Sequence, residues 1–259
     1  GIKWVKDTMD RMSDDEKLEQ LFCLSVLDFT ERNWRETLTH LQPGGLMYRP
    51  VEAELAVNYT NMVQAESKIP LLIAANLEKG GNGIVAEGTM FAAPLEVAAT
   101  GKAENARRLA EICAEEAKGV GCNWSFAPIV DIDNNFRNPI TNTRTFGSNP
   151  AWVRELGTTY IREIQGRGIA ATAKHFPGDG CDERDQHLVT TINDCSVDEW
   201  DKTYGEIYSS CIESGVKTVM VGHIMQPDYE RFFHPQIKDE EIMPATLSET
   251  LISRLLRGK

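Results

Sequence analysis

The sequence lacks several things, and each absence excludes something. No apolar run approaches the ~18 residues of a membrane-spanning helix, so a helical span is not expected. Basic residues number 27 against 39 acidic ones, a net charge of -12. On average that charge repels phosphate backbones and anionic membrane surfaces, so neither nucleic acid nor membrane is expected as a partner. The six cysteines include no C-x-x-C pair. Most sit in apolar runs, where a free thiol behaves as a small core residue, and neither a disulfide framework nor zinc-ligand spacing is apparent. Neither G-x-G-x-x-G nor G-x-x-x-x-G-K-[ST] occurs; Gly80-Gly81-Asn82-Gly83 fits neither pattern, which removes the usual fingerprints of the nucleotide folds. Gly1–Val5 has no apolar stretch of the kind that directs secretion. Together with the unpaired thiols this points to the cytoplasm, with secretion as the alternative.

What is present is an ordinary globular composition. Of 259 residues, 41% are hydrophobic and 25% charged, enough to bury a sizeable core without staples. No repeat, low-complexity tract or composition shift divides the chain, so residues 1–259 read as one domain. Short β-prone runs alternate with amphipathic segments. Candidate strands are Leu21–Ser25, Gly45–Tyr48, Leu71–Ala75, Asn123–Val130, Ile169–Ala173 and Lys217–Gly222. Candidate helices are Val51–Glu66, Ala103–Lys118, Ala151–Arg167, Val197–Glu213 and Ser248–Leu256. Leu156, Tyr160, Ile161 and Ile164 fall on one helical stripe. Strand–helix alternation predicts an α/β fold with a mainly parallel sheet. Between an open doubly wound sheet and a (β/α)8 barrel of the TIM type, the missing glycine fingerprint favours the barrel. About six of its eight units are present.

In such a barrel the chemistry lies beyond the C-terminal strand ends, and four of those ends are polar here. The third strand runs into Asn76-Leu-Glu78-Lys79, the fourth into Asp131-Ile-Asp133-Asn134-Asn135, the fifth into Lys174-His175 and the sixth into Gly222-His223. Turn chemistry explains one such end cheaply, but not four, so they are expected to line one pocket. The Asp131 segment resembles a calcium loop only superficially. Phe136 stands where the sixth position wants Gly, and Asn142 where the twelfth wants Glu. Past the fifth strand Pro177 and two glycines turn the chain, and Asp185 and His187 follow, two residues apart. A carboxylate beside an imidazole fixes its tautomer and stabilises its charged form, and a ring that titrates near ~6.5 can give or take a proton near neutrality.

Lys174-His-Phe-Pro-Gly-Asp-Gly-Cys-Asp-Glu-Arg-Asp-Gln-His187 resembles the K-H-F-P-G-[HD]-G-x4-D-x-H signature of family 3 glycoside hydrolases of the β-N-acetylglucosaminidase type. Phe126-Ala-Pro-Ile-Val-Asp131 is similar to that family's F-A-P-V-x-D, and Arg144-Thr-Phe-Gly147 to its R-x-F-G. Pro43-Gly-Gly-Leu46 and Pro244-Ala-Thr-Leu-Ser248 stand in the family's order, so the likeness runs from about residue 15 to the last residue. The resemblance implies a (β/α) barrel catalytic domain, a retaining hydrolase removing terminal β-linked N-acetylglucosamine, and no metal or organic cofactor. It implies a small GlcNAc-containing glycoside as partner, such as a peptidoglycan fragment or chitin oligomer. By the same resemblance His187 is the acid/base and Asp185 its orienting partner, while Arg144, Lys174 and His175 hold sugar hydroxyls and His223 lies near the pocket.

Two departures from the family stand out. Its D-x-E-G-G here reads Asn76-Leu-Glu78-Lys79-Gly80-Gly81. Asn76 can still donate and accept, but it lacks the charged acceptor of an aspartate. The family's nucleophilic Asp falls beyond Arg257-Gly258-Lys259. Two other functions therefore stay open beside the hydrolase. One is a phosphorylase on the same substrates, because a neutral imidazole repels an incoming anion less than a carboxylate does. The other is a non-catalytic sugar-binding fragment.

Overall fold

The computed structural model describes all 259 residues. The strands are β1 (Cys23–Val26), β2 (Gly45–Tyr48), β3 (Leu72–Ala75), β4 (Trp124–Ser125), β5 (Thr172–Phe176), β6 (Thr191–Ile192), β7 (Thr218–Val221) and β8 (Ile224–Met225). β1 to β4 pair in parallel, each with the next in sequence. Backbone bonds from Ser125 to Ala170 (2.7 Å) and from Val130 to Lys174 (2.8 Å) carry the order on to β5, which pairs in parallel with β7. Six strands thus follow one another in chain order without the reversal that defines a doubly wound sheet. This is an arc of a TIM-type barrel, as the strand–helix alternation predicts. β6 and β8 form a small parallel pair near the rim.

The helices are α1 (Ile2–Met9), α2 (Asp14–Glu19), α3 (Glu31–His40), α4 (Ala53–Glu66), α5 (Pro94–Ala99), α6 (Ala103–Gly119), α7 (Pro150–Gly166), α8 (Val197–Trp200), α9 (Glu206–Glu213) and α10 (Pro227–Phe233). The expected segment 197–213 is one helical run with a π-type turn at Asp201–Gly205 between α8 and α9, and Thr250–Leu256 is also π-helical. α6 shows a buried stripe of small residues, Ala106, Ala110, Cys113, Ala114 and Ala117. Small side chains at i, i+3 and i+4 spacing let α7 pack closely against it. The predicted stripe of α7 is fully inside, with Leu156, Tyr160, Ile161 and Ile164 each 1% exposed or less. Tyr160 also reaches through the core, where its hydroxyl donates to the Leu77 carbonyl at 2.6 Å. An outer-layer helix thereby fixes the chain just after β3, between Asn76 and Glu78.

Three expected strands differ in extent by more than one residue, the first because it starts at Cys23 rather than Leu21. The fourth was expected over 123–130 but pairs with β3 only at Trp124 and Ser125. Pro128 has no N–H to give to a ladder, although Ile129 still bridges to Lys174. The fifth is displaced toward its C-terminus, so Lys174 and His175 lie inside the strand rather than after it. No helix is long and apolar enough to cross a membrane, and all six cysteines are free.

Candidate active site

The innermost element of the site is Glu78, 9% exposed. Arg144 grips it with two parallel bonds, Nε to Oε2 and Nη2 to Oε1, each 2.9 Å. Lys174 Nζ donates to Oε1 at 2.7 Å and to Asn76 Oδ1 at 3.3 Å. A bidentate guanidinium plus an ammonium on one carboxylate is a strong, directional arrangement. Burial pushes the Glu78 pKa up, but Lys174 and Arg144 outweigh it and hold the group down at about 2. Burial pulls the Lys174 pKa down, with Glu78 opposing.

The Arg144 loop is itself braced. Asn138 Oδ1 accepts the backbone N–H of Ile140 and Thr141, each at 2.8 Å. The Asn138 amide donates to Asp179 Oδ1 and to the Asp182 carbonyl, both at 2.8 Å. One buried carboxamide thus locks the Arg144 loop to the loop after β5.

Beyond β4, Asp131 is fully buried and gathers three contacts from the end of β5. Its Oδ1 accepts the N–H of His175 (3.0 Å) and of Asp179 (2.8 Å), and its Oδ2 lies 2.7 Å from His175 Nδ1. Nδ1 is therefore assigned the proton that Asp131 accepts, which leaves Nε2 for a ligand. Asp131 orients its neighbour and has no surface left for a cation. Glycine is required just beyond. Gly178 has φ +125° and a Cβ there would meet the Tyr204 ring, while Gly180 has φ +111° and a Cβ would strike the Ile132 carbonyl. Burial, and then the Asp131 charge, push the Asp179 pKa up.

Past these glycines the chain carries Asp185 and His187. His187 Nδ1 lies 2.7 Å from Asp185 Oδ1, and the His187 N–H donates to the same oxygen at 2.8 Å. Burial raises the Asp185 carboxyl, but the His187 N–H and ring, with Arg144 beyond, bring it net below the usual range. At the end of β7, His223 is exposed and its Nδ1 lies 3.0 Å from Thr246 Oγ1.

These elements surround a cavity of about 350 Å³ at the C-terminal strand ends. Of the seven residues singled out from the sequence, Asn76, Arg144, Lys174, His175, His187 and His223 line it. Asp185 holds His187 from behind. No aspartate or glutamate lines the cavity, but Gln186 does. Three roomier hollows of about 410, 490 and 610 Å³, beside α9, α4 and α10 in turn, contain none of these seven residues. Convergent polar groups, not size, distinguish the smaller one. Sequence reasoning gave no role to Glu78, Asp179 or Gln186. Glu78 stood in a quoted strand end, and its position two residues after Asn76 was the only available signal.

The sequence matches the family described as Glycosyl hydrolase family 3 N terminal domain over residues 13–259. It is 48% identical over 260 residues to a β-N-acetylglucosaminidase/β-glucosidase of Cellulomonas fimi, covering 100% of this chain and 46% of that protein. Among solved structures, the β-glucoside phosphorylase BglX bound to 2FGlc superposes with a TM-score of 0.96 at 48% identity, covering 99% of this chain and 46% of the other. A glycoside hydrolase family 3 β-N-acetylglucosaminidase from Paenibacillus sp. str. FPU-7 gives a TM-score of 0.82 at 29% identity, covering 95% and 47%. The chain spans about half the length of these relatives.

Proposed function

The chain belongs to the glycosyl hydrolase family 3 N-terminal domain family, and from that membership we propose that residues 1–259 form the sugar-binding and acid/base half of a retaining glycosidase. Its substrate in this proposal is a terminal β-linked N-acetylglucosamine. The supporting observation is the convergence of Arg144, Lys174, His175 and His187 on one cavity, with His187 backed by Asp185 at 2.7 Å. The relatives named as β-N-acetylglucosaminidases favour the same reading.

In this proposal the saccharide enters over Glu78, which holds Arg144 and Lys174 extended toward the ring hydroxyls. Because Glu78 stays ionised, neither cation is free to swing onto another acceptor. Asn76 and His175 Nε2 add a hydrogen-bonding edge. His187 gives its proton to the glycosidic oxygen as that bond lengthens, and Asp185 stabilises the ring before transfer and fixes its tautomer. A carboxylate attacks the anomeric carbon. Water then displaces it, and its proton returns to His187. No carboxylate lines the cavity, so we assign the nucleophile to the part of the relatives' length that this chain does not span. The natural glycosides in this reading are peptidoglycan fragments or chitin oligomers, met in the cytoplasm, with secretion as the alternative.

Turnover of an aryl β-N-acetylglucosaminide by the full-length protein and by His187→Ala tests the assignment. Equal rates reject it.

A second reading has its own support. A cavity lined by cations and imidazoles, with no carboxylate at its surface, admits an anion, and a relative 48% identical is described as a β-glucoside phosphorylase. In that reading inorganic phosphate replaces water in the second step and the product is the glycosyl phosphate. Product analysis with and without phosphate decides between the two; no sugar phosphate at any phosphate concentration eliminates this one.

A further inference from the structure

We infer that Gln186 is a positioning residue for the His187–Asp185 pair: its carboxamide ties the loop carrying that pair to the ends of β5 and β7. The inference rests on the reading of His187 as acid/base.

From Cys181 to Thr190 only Gln186 is buried, at 4% exposure, while Leu188 in the same loop is 82% exposed. The loop therefore turns an apolar side chain outward and a polar one inward, which burial of hydrophobic surface does not explain. A buried carboxamide is costly unless both of its ends are bonded, and here both are. Nε2 donates to Asp179 Oδ2 at 2.6 Å, and Oε1 accepts the backbone N–H of His223 at 3.2 Å. Asp179 is a fixed anchor. Its N–H is held by Asp131, and its Oδ1 accepts from Gly180 N–H (2.7 Å) and the Asn138 amide (2.8 Å). The Asp131 that holds it also holds His175, so Gln186 joins the acid/base loop to the sugar-holding strand.

The other hydrogen bonds that tie the loop to the body lie at its start, where the Asp182 carbonyl accepts from Asn138 (2.8 Å), the Cys181 carbonyl from Asn135 (3.0 Å) and Asp182 Oδ2 from the Ile192 N–H (3.0 Å), so from Arg184 to Thr190 the task falls to Gln186. The N–H groups of His187, Leu188 and Val189 all return to Asp185. They stiffen the turn without attaching it to the body of the protein. Arg137 to Glu183, at 3.0 Å, is an exposed ion pair, of little consequence for position. Gln186 also separates Asp185 from His187 in the chain, so any movement of its side chain is passed to both.

The test uses the full-length protein with Gln186→Met, which keeps length and removes both hydrogen bonds, and Gln186→Glu, which sets a second carboxylate against Asp179. Departure of 2,4-dinitrophenolate needs no proton, whereas a poorly acidic phenol needs one. With kcat/KM as readout, Gln186→Met is expected to lose about 10- to 100-fold on the poor leaving group, as ångström-scale misplacement does. On the dinitrophenyl glycoside its loss is expected to stay within about threefold. Gln186→Glu should lose more than Gln186→Met on the poor leaving group. Hydrogen exchange in 183–189 should accelerate in both variants, with α6 and α7 unchanged. Wild-type kcat/KM in both variants overturns the inference, and so does an equal loss on both substrates or unchanged exchange in the loop. A wild-type protein with no turnover at all defeats the glycosidase reading instead, and the exchange measurement still decides whether Gln186 holds the loop.

Discussion

Lys174 and Glu78 meet at 2.7 Å with the lysine side chain 2% and the glutamate 9% exposed, although 96 residues separate them in sequence. A buried pair of this kind contributes little net stability compared with a well-packed apolar pair, but removing one partner leaves a charge stranded. Here two cations would be stranded, since Arg144 shares the carboxylate. Glu78→Ala is therefore expected to lower stability by about 3–5 kcal/mol and to raise KM for any sugar ligand. Thermal unfolding and steady-state kinetics check both, and unchanged KM would separate the clamp from sugar binding.

The same group fixes a pH dependence. The Glu78 pKa is about 2 in the folded protein, below its ordinary value of 4.5. A depressed carboxyl stabilises the fold above the unfolded value, and that stabilisation is lost as pH falls from about 4.5 through about 2. Asp179 acts in the opposite direction: its raised pKa favours the protonated form in the fold, so its contribution is greatest at low pH and fades as pH rises. The difference in stability between wild type and Glu78→Gln, followed against pH, isolates the first effect. It should narrow on acidification below about 4.5, the ordinary value for Glu78. A constant difference down to pH 2 would mean that Glu78 is not held ionised.

The His187–Asp185 pair predicts a graded series. Removing a general acid costs typically ~10²–10⁴-fold, so His187→Ala should fall in that range on poor leaving groups. Asp185→Asn keeps the ring but removes the charged acceptor of its Nδ1, which lies 2.7 Å away. It should fall less than His187→Ala on poor leaving groups, since the ring remains while its charged acceptor is lost. Wild-type rates in Asp185→Asn would contradict the assigned geometry.

The sequence disclosed the strands but not the joints between them. β2 lies where the apolar run Gly45–Tyr48 predicts it, and the motif Lys174–His187 supplied the clamp lysine and the dyad. Periodicity cannot place a charge inside a strand, so the apolar pattern stops before Lys174; β5 nevertheless continues through Phe176 because Asp131 and Glu78 meet His175 and Lys174 there. α3 escaped notice because only Trp34 and Leu38 of its ten residues are buried, too few for a visible stripe. Glu78, Asp131 and Gln186 take their roles from partners on other strand ends, and the winding of the barrel brings those partners near. His223 was legible, whereas its partner Thr246 lay in a quoted motif, Pro244–Ser248, with no hint that the two meet.

Asn76 gives the last prediction. Its Oδ1 lies 3.3 Å from Lys174 Nζ, the longer of that lysine's two bonds, and the family's pattern has an aspartate at this position. A hydrogen bond to a charged acceptor is worth roughly 1 kcal/mol more than one to a neutral amide. Asn76→Asp should therefore tighten binding of a sugar hydroxyl at this edge by about fivefold. The new carboxylate also competes with Glu78 for Lys174. If it draws the ammonium away, the clamp loosens and KM rises. Isothermal titration with N-acetylglucosamine and with glucose distinguishes these effects. Gains for both sugars mean that position 76 serves a shared hydroxyl, and a gain for one alone makes it a determinant of selectivity. A loss for both means that Lys174 has left Glu78, and the neutral amide is then what keeps the Glu78–Arg144–Lys174 cluster intact.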